Sequence, residues 1–185
     1  MKKKVLLIAL AAILLVGASI GGTLAWLTDQ ATVTNTFTVG KVNIKLDEAV
    51  IGGSSRTEQD QSGYKMVPGV AIPKDPTVTV AAGSEECYVF VKVKNNMAGS
   101  VDLTIHSDWG TLTGLPTNVY VYKEKVTATA ATALTPVFTS VTPKSTLSED
   151  DLNALTDKTI KVTAYAIQAA GMTNAAAAWT AGNFS

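Results

Sequence analysis

Apolar and polar residues alternate at period two in several segments of this 185-residue chain, the pattern of strands that bury one face. Thr32–Val39 sets Val33, Phe37 and Val39 on one face and threonines on the other. After Gly40, Val42, Ile44 and Leu46 oppose Lys41, Asn43 and Lys45. Thr77–Val80 reads as a short strand and Glu86–Lys94 as the strongest one. In the latter, Val89, Val91 and Val93 face one way, while Tyr88, Phe90, Lys92 and Lys94 face the other. Further strands are expected at Val101–Ile105, Val119–Tyr122, Val137–Val141 and Ile160–Ile167.

Turn residues punctuate these runs. The segment from Ala49 to Gly63 is rich in Gly, Ser and charge and predicts an exposed loop. Pro68-Gly69 marks a turn, Pro73 and Pro76 bracket another, and Asn95–Gly99 forms a hairpin-like break. Two short helices are expected. Ser148 can cap Glu149-Asp150-Asp151, acids that suit the positive end of a helix, and Thr173 or Asn174 can cap Ala175–Trp179. Short strands at regular spacing predict an all-β fold: an antiparallel β-sandwich of jelly-roll type with one or two short helices.

The first 25 residues depart from this pattern. Lys2, Lys3 and Lys4 precede an unbroken apolar run, Val5 to Val16. Gly17, Gly21 and Gly22 then lead to the small-residue pattern Thr23-Leu24-Ala25. This is the layout of a secretory signal peptide, an N-terminal signal helix cleaved between Ala25 and Trp26. The uncharged run to Thr28 is long enough to span a bilayer. The glycines interrupt it, however, and no basic flank follows. The expected organisation is a signal peptide at 1–25 and one β-sandwich domain at 26–185, with 26–39 a candidate assembly strand.

Composition narrows the partners. Losing residues 1–25 removes three lysines and no acid, leaving 12 Lys+Arg against 15 Asp+Glu, a net charge of −3. A mildly acidic chain argues against nucleic acid and anionic lipid as partners. Cys87 is the only cysteine, so no internal disulfide is possible; within Cys87-Tyr88-Val89-Phe90-Val91 it reads as a small buried hydrophobe.

Candidate chemistry is sparse. His106 is the only histidine, whereas a zinc-peptidase helix of the H-E-x-x-H type requires two. No nucleophile elbow, calcium loop or glycine-rich phosphate loop is present. The acidic pairs Asp47-Glu48 and Glu85-Glu86 read as solvated strand ends. No catalytic residue, metal site or cofactor is expected. The aromatic residues Tyr88, Tyr120, Tyr122 and Tyr165 read as packing groups on strand faces.

The segment Gly21-Gly22-Thr23-Leu24-Ala25-Trp26-Leu27-Thr28-Asp29, followed by Asn35-Thr36-Phe37-Thr38-Val39-Gly40-Lys41-Val42, resembles the N-terminus of the TasA/camelysin family. These are exported proteins of Gram-positive bacteria processed by a SipW-type signal peptidase. Met66-Val67-Pro68-Gly69 looks like the family's turn before a threonine/valine strand. The resemblance implies a jelly-roll subunit of extracellular biofilm-matrix fibres, secreted or held at the cell surface. Its partners would be other copies or related matrix subunits, with the signal peptidase during export and the membrane only as precursor. It places the assembly strand at Val33, Asn35, Phe37, Val39 and Gly40. A chain that joins its neighbour by strand donation makes a heterologous contact that does not close, which yields filaments. Two other readings are a monomeric surface adhesin and, by the camelysin branch, a metal-dependent secreted peptidase that no ligand motif supports. The chain shows no Leu-Pro-x-Thr-Gly sorting signal before Ser185, so covalent wall attachment by that route is not expected.

Overall fold

The computed structural model describes residues 41–53 and 55–184. The expected signal helix, the cleavage residues Thr23, Ala25 and Trp26, and the assembly residues Val33, Asn35, Phe37, Val39 and Gly40 lie outside the described residues.

The alternating segments do form strands, in three antiparallel sheets. β1 (Ile44–Ala49) pairs with β2 (Arg56–Thr57) and with β4 (Thr77–Val80), and β4 pairs in turn with β10 (Thr132–Ala133). A second sheet orders β3 (Ile72–Pro73), β11 (Ser140–Pro143) and β6 (Val101–Leu103). The third is built on the long β5 (Ser84–Asn95). It is flanked by β12 (Ile160–Gln168) on one side and by β8 (Val119–Tyr122), then β7 (Trp109–Gly110), on the other. β9 (Val126–Ala128) also pairs with β5.

The faces of these sheets meet in one core. Val78 and Val80 of β4, Val89, Val91 and Val93 of β5 and Val141 of β11 are buried together. Cys87 joins them and donates its thiol to the Val126 carbonyl at 3.6 Å. Burial, and secondarily the charge of Glu86, pushes that thiol up to about 11.

β5 is buried on both sides. Its second face carries Phe90 at 0% exposure beneath α2 (Ala175–Gly182). Trp179 meets Phe90 edge-on, with centroids 5.4 Å apart, and Phe184 lies 5.2 Å from Trp179. Asn174 caps this helix by accepting from the Ala177 N–H, and Asn183 ends it in the left-handed conformation. α1 (Glu149–Asn153) carries the expected Ser148 cap as a full capping box with Asp151.

Two expectations are corrected. The break at Asn95–Gly99 is not a hairpin, because β6 leaves the sheet of β5 and pairs with β11. The strand expected at Val137–Val141 begins only at Ser140; Val137 and Phe138 are fully buried outside any ladder.

Candidate functional site: a groove between two sheet edges

β1 and β12 belong to different sheets yet come within 8 Å of one another between Cα atoms. Among the described residues, Ile44–Asp47 pairs with β4 alone and β12 pairs with β5 alone. A groove of about 760 Å³ opens beside them, floored by Leu46, Met97, Ile160 and Val162. The core-facing side chains there are only partly covered. Val162, Ala164 and Ala166 are half-buried, although the residues opposite them in register, Val93, Val91 and Val89, are buried. Ile44 and Leu46 of β1 are half-buried as well. Of these side chains, Leu46 and Val162 line the groove.

The outer wall of the groove is the segment 57–64 with Met66. Most of it belongs to the stretch Ala49–Gly63 expected to be an exposed loop; it is largely exposed, and it is also strapped down. Arg56, in β2, donates through Nε to Asp47 Oδ1, through Nη1 to Asp75 Oδ2 at 2.6 Å, and through Nη2 to the carbonyls of Asp47 and Asp75. Lys45 reaches Asp47 at 3.2 Å and Glu58 at 3.5 Å. Burial raises the affinity of Asp47 for a proton, but hydrogen bonds from Arg56 and Lys45 and their charges outweigh it. The carboxyl is held below its ordinary value. Asp47 is thus a buried, paired carboxylate rather than a solvated strand end.

A second tie closes the strap. Gln61 accepts from the Ile51 N–H and donates to Glu48 Oε1 and the Ala49 carbonyl. Lys74 donates to Glu48 and to the Tyr64 hydroxyl, and its ammonium sits 4.4 Å from the Tyr64 ring centroid. The network was missed in the sequence because its members span positions 45 to 75. The one local signal was the chain's only arginine within a Gly/Ser-rich stretch.

His106, which follows β6, does not assemble a metal donor set. Its Nδ1 accepts the Asp108 N–H at 3.1 Å. The Asp108 oxygens are taken by Lys123 at 2.9 Å and Thr135 at 2.6 Å. Among the described residues, no group of three or more His, Cys, Asp or Glu side chains could hold a metal ion.

Residues 1–62 match a family model described as camelysin metallo-endopeptidase. The TasA/camelysin resemblance of the N-terminal segment is consistent with that match, which covers about a third of the chain. The matched segment contains neither the histidine nor the cysteine of this chain, so the metal named in that description finds no imidazole or thiolate ligand within it. No curated protein and no solved structure matches the chain. The family points to an extracellular or surface protein, and no helix among the described residues is long and apolar enough to cross a membrane.

Proposed function

We propose that this chain is a secreted structural subunit of an extracellular fibre, assembled by strand donation. Cleavage after Ala25 releases an N-terminus at Trp26, and the segment 26–39 of one copy lies along β12 of the next. One observation carries this reading: Val162, Ala164 and Ala166 are half-buried opposite buried valines of β5. Thr32–Val39, eight residues with Val33, Phe37 and Val39 on one face, is close in length to the nine-residue β12. Added as a strand, it would place those three side chains in the groove and its threonines outward, with backbone hydrogen bonds supplying much of the affinity. β1 and β12 are closer than the two strand spacings, roughly 9.6 Å, that a strand paired to both would require. In this reading the donated segment pairs with β12 alone. A jelly-roll topology completed by this strand is part of the same proposal, as are membrane tethering of the precursor and processing by a SipW-type peptidase.

The test compares a form starting at Trp26 with one starting at Gly40. Electron microscopy should show filaments for the first only. Filaments from both, or from neither, contradict donation through 26–39.

A monomeric binding module is the second reading. It is favoured by the polar rim that Glu48, Lys74 and Tyr64 give the groove, which suits a small ligand as well as a strand. A mature protein that sediments as a monomer at high concentration and binds a saturable ligand would favour it.

A further inference from the structure

The outer face of the β5–β12 sheet is divided. One half is covered by α2; the other carries Lys92 and Lys94 on β5 and Lys161 on β12. Lys94 and Lys161 stand directly opposite one another in the ladder, and Lys92 stands opposite Thr163. The ammonium groups are thus carried on positions about 6.8 Å apart along the strand and about 5 Å apart across it. Lys94 and Lys161 are exposed and Lys92 is half-buried. Among the described residues, no carboxylate oxygen lies within 4.0 Å of any of the three.

Like charges placed directly across a ladder destabilise it. Lysines on an edge strand are explained as a guard against unwanted pairing, but Lys92 lies where β5 is paired on both sides, with β12 and with β8. The other surface lysines near acids are neutralised: Lys125 by Glu86, Lys123 by Asp108, Lys74 by Glu48. An uncompensated triad on the face of a sheet is a site for negative charge supplied from outside.

We propose that Lys92, Lys94 and Lys161 bind a linear phosphodiester polymer without bases, of the polyol-phosphate kind. Lysine meets a phosphate as a point charge, and the one arginine of this chain is committed to Asp47 and Asp75. A protein partner would require an apolar centre to the interface. The large hydrophobic side chains that are exposed (Ile51, Val67, Val70 and Leu112) lie on none of the strands of this sheet. Single-stranded nucleic acid is held by stacking on aromatic rings beside the charges. The nearby rings of Tyr165, Trp179 and Phe184 are instead packed against one another. The overall acidity of the chain limits long-range attraction, but salt screens it beyond about 8 Å and leaves the local triad effective.

The test is equilibrium binding of a fluorescent poly(glycerol phosphate) to the purified chain across a salt series, with K94Q/K161Q and K144Q compared. The expected result is binding at about 50 mM salt that the double variant weakens at least tenfold. Its slope of log K against log salt should fall by about 1.4, roughly 0.7 for each lysine lost, and K144Q should bind as the parent does. Absence of binding at low salt, or equal binding by K94Q/K161Q with unchanged melting temperature, overturns the site. Equal or tighter binding of oligothymidylate or of a uronic-acid polymer overturns the assignment of the polymer.

Discussion

Arg56, the only arginine of the chain, donates through Nε to Oδ1 of Asp47, a carboxylate that is only 8% exposed at the centre of β1. The same guanidinium reaches Asp75, so one side chain fastens the strap over the groove to two elements, β1 and the segment before β4. Removing it leaves a buried carboxylate with only Lys45 as partner. Arg56→Ala should cost about 2 kcal/mol, less than the 3–5 typical of a fully buried pair because Arg56 itself is 36% exposed. Thermal denaturation should show a fall of roughly 6 °C. Arg56→Lys should recover little of it, since an ammonium cannot reproduce the fork.

The same pair sets an acid limit. Asp47 is held below its ordinary value of 3.8 in the folded protein. Its contribution to stability is therefore fully present above the unfolded value, and is lost as pH falls through the lower folded one. Chemical denaturation should be unaffected by this group from neutrality down to about pH 5 and should weaken below pH 4. In Arg56→Ala the Asp47 carboxyl moves upward, toward or past its unfolded value, so the acid loss owed to this group should shrink or reverse. Identical pH profiles for parent and variant would contradict this role for the pair.

Cys87 should be inert in the native state. Its thiol is buried and pushed up to about 11, so almost no thiolate exists at neutral pH. Iodoacetamide labelling followed by mass spectrometry should show modification only in denaturant. Rapid labelling of the folded chain would place the residue at a surface.

Phe90 joins the large sheet to α2. It is fully buried between Trp179 and the strands and lies 6.2 Å from Phe184. Phe90→Ala should cost about 3–5 kcal/mol, and hydrogen exchange should rise first in α2. Ser148→Ala, at the exposed cap of α1, should cost only about 1 kcal/mol.

The fold was legible wherever one face of a strand is buried. Thr77–Val80, Val119–Tyr122 and Ile160–Ile167 fall within half-period patterns, and the Ser148 and Asn174 caps follow from local hydrogen-bonding chemistry. It was illegible where partners are distant. Nothing local tells Phe90 that a helix 85 residues later will cover it, nor that Val101 will pair with Pro143 instead of returning along β5. The groove was invisible for a related reason: it is defined by what β1 and β12 leave unfilled, and periodicity records which face is apolar, not how completely it is covered. Asp47 read as a solvated end because its partners, Arg56 and Lys45, act through a strap whose composition resembles a free loop.

The most direct test of strand donation mixes two single-cysteine substitutions made in separate chains, both beginning at Trp26. One carries Phe37→Cys in the N-terminal segment, the other Val162→Cys in the groove. Under mild oxidation the mixture should yield a disulfide-linked dimer joining position 37 of one copy to position 162 of another, identified by peptide mass spectrometry. Neither chain alone should yield this link. No such link in the mixture, with a 37–162 disulfide formed only inside a chain carrying both substitutions, would show that the segment fills its own groove and would contradict assembly by donation.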